Sequence, residues 1–221
     1  MSDPSPGSSR NAKPASRPDL SGYRRLLIFG GSFDPPHVAH VDLPRLVARA
    51  INADVVVYVP AGRAPHKLDK VQTDPAHRLA MLRLALADEP GNPGAVVWTG
   101  EVDRVADGRP SYTVDTLEDL AERIAPDAQM RLLIGTDQVD IFESWYRAER
   151  VIELAEPVVM MRPPTTRDDL PAAWRDRVVV VPTTAVSSTT VRQRVAEALP
   201  LDDAVHPDVA AYIHEHNLYR G

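Results

Sequence analysis

Six short apolar runs punctuate the chain, at 26–29, 55–59, 96–98, 130–134, 158–161 and 178–181. Each is a nearly continuous stretch rich in Val, Ile, Leu and Met, the pattern of a strand covered on both faces rather than one that alternates core and solvent. Between the runs, apolar positions recur with helical spacing at 41–51, 75–88, 113–125, 145–155, 188–198 and 207–217. Strand and helix alternate, which predicts an α/β fold: a doubly wound, Rossmann-like, mostly parallel sheet with helices on both faces, in a single domain. In such a fold ligands bind beyond the carboxyl ends of the strands, where the strand order reverses. Residues 1–22, with Pro4, Pro6, Pro14 and Pro18 among polar residues, are expected to form a disordered tail. The folded domain is expected over 23–221. The segment 162–177 reads as a surface excursion, and Trp98, Trp174, Met160 and Met161 as packing residues.

A length of 221 residues suffices for one good core. The 43% apolar and 25% charged content is that of a folded globular chain. The formal net charge of -6 opposes broad, sequence-independent contact with nucleic acid, so an anionic ligand needs a local basic pocket. The chain contains no cysteine, which removes disulfides, thiolate metal sites and cysteine nucleophiles from consideration. No apolar run approaches the roughly 20 residues of a spanning helix, and no signal-peptide pattern opens the chain, so a cytoplasmic address with no membrane partner is expected. Self-association into a homo-oligomer is neither required nor excluded.

The most informative stretch runs Gly30-Gly31-Ser32-Phe33-Asp34-Pro35-Pro36-His37-Val38-Ala39-His40, directly after the first strand. Glycines let backbone approach phosphate oxygens, and a following helix start offers N–H donors and a positive dipole end. His37 and His40, spaced i, i+3, share one face if the helix has begun and can aim at one phosphate group. Taken alone, two such histidines are more often solvated imidazoles at a helix start; the glycine-rich context favours an anion site. Near the other end, Ser187-Ser188-Thr189-Thr190-Val191-Arg192 repeats the logic, with Ser188 as helix cap and Arg192 one turn on. Alone, this is a capped helix with a solvated arginine. Asp34 is expected to brace its loop, and no metal-ligand cluster is evident. His206, His214 and His216 read as a solvated helix face.

The first stretch resembles the signature of the HxGH nucleotidylyltransferase superfamily, written GGTFDPxHxGH in its nicotinate-nucleotide branch, and 187–192 resembles the second signature, ISSTxxR. Ser32 stands in place of Thr, and Ala39 in place of a motif glycine. The Ala39 methyl is expected to cost some nucleotide affinity or shift the helix start, without abolishing activity. Three further segments resemble the nicotinate-nucleotide branch, at 60–67, 110–113 and 135–146.

The resemblance implies transfer of AMP from ATP, with Mg2+ carried by the nucleotide, to nicotinate mononucleotide. It implies a phosphate and nucleotide site at Gly30, Gly31, Ser32, Phe33, His37, His40, Ser187, Ser188 and Arg192, with Lys67 as a phosphate contact and Gly135 and Asp137 at the ribose. It implies that Trp145 stacks on the nicotinate ring, where an indole suits a cationic pyridinium, while Thr113 and Tyr146 meet its carboxylate. Without the resemblance, Trp145 would read as core and Asp137 as a helix cap. Nicotinamide mononucleotide or phosphopantetheine as acceptor, a nucleotide-binding module without turnover, and a synthetase-like enzyme acting on nucleic acid are the rivals. Chain length and charge oppose the last.

Overall fold

The computed structural model describes residues 18–62, 72–87, 93–105 and 110–220. One sheet contains β1 (Arg25–Gly31), β2 (Val55–Pro60), β3 (Gly94–Val97), β4 (Gln129–Gly135), β5 (Ala155–Met161) and β6 (Val178–Val180). Their order is β3-β2-β1-β4-β5-β6, and every pairing is parallel. Parallel neighbours cannot be joined by a tight turn, so each link crosses over the sheet. The links and the C-terminal layer contain α1 (Val38–Ala50), α2 (Pro75–Ala87), the short α3 (Gly100–Asp103), α4 (Thr113–Ala121), α5 (Ala148–Leu154), α6 (Ser188–Ala196) and α7 (Pro207–Glu215).

The two-residue period of the strands divides the core. Leu26 and Ile28 of β1 join Val55 and Val57 of β2 on one face, beneath Val114, Leu117 and Leu120 of α4. Leu27 joins Val56 and Tyr58 on the other face, beneath Leu43 and Val47 of α1 and Leu82 of α2. With helices on both sides, all six residues of β2 are buried, which explains why the strand reads as unbroken apolar sequence. Beyond α1 and α2, a further layer packs Val191, Val195, Val209 and Ile213 of α6 and α7 against Val41, Met81 and Ala85. That layer carries the second signature back to the first.

Three local expectations are revised and a fourth is refined. Leu20, placed in the tail by composition, is fully buried in the core, so the packed chain extends back past Arg24. β3 ends before Trp98, whose indole is buried with the Arg123 guanidinium 5.5 Å from its centre. α5 begins at Ala148 rather than near 145, because Arg147 adopts a left-handed backbone (φ 54) and Trp145 is extended. The 162–177 segment lies largely at the surface as expected, anchored by the buried Leu170 and by Trp174, which meets Phe142 edge-on at 4.9 Å.

Leu20→Ala is expected to lower unfolding stability by about 2–4 kcal/mol, the usual cost of emptying a buried leucine site. Denaturant unfolding checks this, and an unchanged midpoint would return Leu20 to the tail.

Candidate active site

The chain leaves β1 toward β2 and β3 and returns to β4 on the opposite side, so the order reverses between β1 and β4. The glycine-rich stretch leaves the carboxyl end of β1 at that crevice. Among the described residues a Cβ on Gly30 would meet no atom within 4 Å, whereas one on Gly31 would lie 3.0 Å from the Phe33 ring. A methyl at Gly31 would crowd the Phe33 ring, which would have to give way by a few tenths of an ångström. Phe33 itself has a left-handed backbone (φ 48) and a buried ring packed edge-on against Phe29 at 5.7 Å and His40 at 5.1 Å. The side chain that anchors the loop points into the core and leaves its backbone to face the crevice.

His37 and His40 come together, but by a route other than helical periodicity. His37 is the N-cap of α1, extended at φ -137 and ψ 169, and the His37 N–H donates to His40 Nδ1 at 3.3 Å. The rings stack with centres 3.6 Å apart. Accepting at Nδ1 places the proton of a neutral His40 on Nε2. His37 is buried, and its Nδ1 has no hydrogen-bond partner among the described residues. Burial first, and the positive charge of Arg162 second, lower its pKa to about 4. In the protein alone His37 is therefore neutral near pH 7 and meets an anion as a hydrogen-bonding ring rather than a cation.

The second signature is stitched directly onto the first. Arg192 Nη1 donates to the Asp34 carbonyl at 2.6 Å and Ser188 Oγ to the Pro35 carbonyl at 2.9 Å. The cap of α6 is Ser187, not Ser188: its Oγ accepts from the Thr190 N–H at 3.1 Å, which frees Ser188 for the cross-link. Arg192 also donates to Thr189 Oγ1 at 3.2 Å, so it is braced rather than freely solvated. At the start of α1 the Val38 N–H is taken by the Ala204 carbonyl at 3.0 Å, which leaves that helix fewer open donors than its sequence promises.

Opposite this cradle, β4 ends at Gly135. A Cβ there would fall on Asp137 Oδ1, so the carboxylate folds back over the glycine while Gln138 Nε2 donates to its other oxygen at 2.6 Å. Asp137 lies in a short 3₁₀ turn (Thr136–Gln138) and is exposed, not a helix cap. Thr113 is the first residue of α4. Its neighbour Tyr112 meets the Tyr146 ring at 4.6 Å, which joins the start of α4 to the extended link before α5. Trp145 is half-buried against Phe142 at 5.0 Å, so part of the indole remains exposed. Lys67 lies outside the described residues.

The cytidylyltransferase-like family model matches residues 28–194. A protein of Albidiferax ferrireducens named probable nicotinate-nucleotide adenylyltransferase is 37% identical over 203 residues, spanning 89% of this chain and 98% of the relative. One of the same name from Thermomicrobium roseum is 38% identical over 204 residues, 89% of this chain and 92% of the relative. The chain belongs to the cytidylyltransferase-like family, among its nicotinate-nucleotide adenylyltransferases. A solved structure of Plasmodium falciparum nicotinic acid mononucleotide adenylyltransferase complexed with NaAD matches the fold with a TM-score of 0.67 at 18% identity, covering 89% of this chain and 98% of that one.

Within this adenylyltransferase framework three polar residues escaped the sequence reading or were underrated by it. Arg78 of α2 is 1% exposed and donates to the carbonyls of Ser32, Ala61 and Thr73 at 2.7, 2.8 and 3.0 Å. Glu101 is partly buried and accepts from Thr116 Oγ1 at 2.9 Å and the Gly62 N–H at 3.2 Å. Burial raises its pKa, while those hydrogen bonds and Arg104 oppose the rise. Tyr219, read only as packing, donates its hydroxyl to Asp34 Oδ1 at 2.7 Å. Nothing in periodicity marks Arg78, since an arginine in an amphipathic helix reads as solvent-facing.

Ala39, the departure from the motif, is 6% exposed in the cluster that contains Phe33 and Leu43. Its methyl is accommodated by the core. Ala39→Gly is therefore expected to cost about 1 kcal/mol of stability from helix propensity and lost burial, with the KM for ATP changed less than about twofold. Thermal unfolding and steady-state kinetics check the two halves of that expectation separately.

His37 also generates a pH dependence. Its folded pKa, about 4, lies below the ordinary 6.5, so the unfolded chain binds the proton more readily. The associated stability is fully present above pH 6.5 and is lost as pH falls toward 4, by a total of order 3 kcal/mol. Unfolding free energies of the wild type should fall relative to His37→Gln across that window, and parallel profiles would refute a neutral His37.

Proposed function

We propose that the protein transfers AMP from MgATP to nicotinate mononucleotide, forming nicotinate adenine dinucleotide and pyrophosphate in NAD biosynthesis. The observation that carries this reading is the union of the two signature loops: Arg192 and Ser188 bond the carbonyls of Asp34 and Pro35, beside the stacked histidines at the end of β1. The identity of 33–38% to relatives bearing the adenylyltransferase name supports it.

In the reaction an oxygen of the acceptor phosphate attacks the α-phosphorus of ATP. The bond from that phosphorus to the α,β-bridging oxygen breaks, and pyrophosphate leaves. The attacking phosphate is ionised near neutral pH, so no general base is required. Rate then comes from alignment and from donors aimed at developing charge. His40 Nε2–H, the neutral His37 ring, the Arg192 guanidinium and the backbone at Gly30, Gly31, Ser32 and Phe33 would hold the triphosphate, with Ser187 and Ser188 at the start of α6. Magnesium would arrive with the nucleotide, keeping several waters. Lys67 would add a cation.

On the acceptor side, the exposed part of Trp145 would stack on the nicotinate ring. Thr113 and the Tyr146 backbone would meet its carboxylate, and Asp137 beside Gly135 a ribose. A site that pairs its polar groups with a carboxylate leaves them mismatched with an amide, which is how the acid would be preferred. Cytoplasmic action on these small molecules, without nucleic acid or membrane, completes the reading.

Purified protein with MgATP should release pyrophosphate with nicotinate mononucleotide at a kcat/KM well above that with nicotinamide mononucleotide. Equal values would indicate an acceptor pocket that does not read the carboxylate. Absence of product with either would return the cradle to another acceptor or to nucleotide binding without turnover.

His40→Ala and Arg192→Ala should each lower kcat about 100-fold or more while the circular dichroism spectrum is retained. A near-wild-type rate in either variant would remove that residue from the phosphate site.

A further inference from the structure

The Ala61–Gly62 peptide, just beyond β2, is gripped at both ends by groups of opposite charge. Arg78 Nη2 donates to its carbonyl at 2.8 Å, and its N–H donates to Glu101 Oε2 at 3.2 Å. Each of the two ions also reaches one half of the site. Arg78 spends its other donors on the Ser32 carbonyl of the cradle at 2.7 Å and on the Thr73 carbonyl at 3.0 Å. Glu101 accepts from Thr116 of α4 at 2.9 Å and is hydrogen-bonded by Ser111, so it holds the segment on either side of Thr113. A Cβ on Gly62 would lie 2.4 Å from the Glu101 carbonyl oxygen and 2.8 Å from Ser111 Oγ, so this docking requires glycine.

A buried guanidinium is costly unless its donors are all placed, and an apolar side chain would fill the same volume at less cost. What an apolar residue cannot do is fix three carbonyls from separate segments in one plane, as a rigid guanidinium fork does. The shared peptide then transmits that position to Glu101, and Glu101 to α4. The cradle and the acceptor segment are thereby set against each other through a continuous hydrogen-bonded chain from Ser32 to Thr116.

We propose that Arg78 and Glu101 form a positioning pair for adenylyl transfer, holding the ATP cradle in register with the acceptor segment through the Ala61–Gly62 peptide. The proposal rests on the acceptor-side placement in the function proposed above. Neither residue need touch a substrate. Loosening the pair leaves the ties from Arg192, Ser188 and Tyr219 on the cradle in place, so both nucleotides still bind, but the acceptor phosphate meets the α-phosphorus out of line. In-line displacement is sensitive to sub-ångström placement, and the loss therefore falls on kcat.

The test is steady-state kinetics of the full chain carrying Glu101→Gln, Arg78→Lys and both, with thermal unfolding measured alongside. Each single variant should lose about 10-fold to 100-fold in kcat, with the KM for ATP and for nicotinate mononucleotide within about threefold of wild type. The double variant should be little slower than the slower single one, because both changes break the same chain. Additive losses, an unchanged kcat, or a raised KM for one nucleotide with normal kcat would each overturn the pair, leaving two separate structural braces. Should Arg78→Lys fail to fold, Glu101→Gln set against Glu101→Asp decides: partial recovery of kcat by the shorter carboxylate at constant KM supports the pair, and no recovery refutes it. If the wild type prefers another mononucleotide, the acceptor reading falls, and the same variant-to-wild-type ratios with that acceptor still decide the pair.

Discussion

Asp34 receives hydrogen bonds from three remote parts of the chain, and the geometry of the cradle depends on that convergence. Its carbonyl accepts from Arg192, its Oδ1 from the Tyr219 hydroxyl and its Oδ2 from the Thr73 N–H at 3.2 Å. The adjoining Pro35 carbonyl accepts from Ser188. A loop between a strand and a helix would otherwise be free to vary, and an anion site on it would vary too. Here α6 and the C-terminal end of the chain are tied to that loop, while the outer layer of Val191, Val195, Val209 and Ile213 holds α6 and α7 against α1 and α2. Packing in that outer layer is thus connected to the placement of the glycine-rich loop.

The electrostatics of the site follow from burial as much as from residue type. A sequence containing two histidines and an arginine around a glycine-rich loop suggests three positive charges. The structure divides them differently: Arg192 keeps a permanent charge bound to backbone oxygen, while His37 is held neutral by its surroundings and by Arg162. A neutral ring stacked at 3.6 Å on a second imidazole avoids the repulsion that two adjacent cations would suffer. An arriving phosphate would therefore meet His37 as a hydrogen-bonding ring, with the permanent positive charge supplied by Arg192.

The sheet and most of its helices were legible because buried parallel strands and amphipathic helices leave simple periodic signals. Element ends were less so. The start of α5 depends on the left-handed backbone of Arg147, and the inclusion of Leu20 in the core depends on a single apolar residue among polar ones. The two signature stretches that the structure brings into contact, at 30–40 and 187–192, were legible because each is contiguous in sequence. Ser187 and Ser188 exchanged roles because either hydroxyl suits a cap on sequence grounds, and only the approach of Pro35 distinguishes them. Arg78, Glu101 and Tyr219 were missed or underrated because their partners are backbone groups and side chains brought close by folding rather than by sequence.

The placement of Ala39 shows why a motif residue and the physical demand behind it must be kept apart. Two glycines of the stretch meet different demands: among the described residues nothing approaches a Cβ at Gly30, whereas Gly31 lies beneath an aromatic ring where a methyl would be crowded. The position of Ala39 has neither property. It is buried within the first turn of α1, where a methyl fills core volume and alanine favours helix more than glycine does. A glycine at that position could be replaced without altering the loop, because the loop is held by the bonds at Asp34 and Pro35 rather than by residue 39. The chain departs from its family's pattern at a point where the physical requirement is met from the core side.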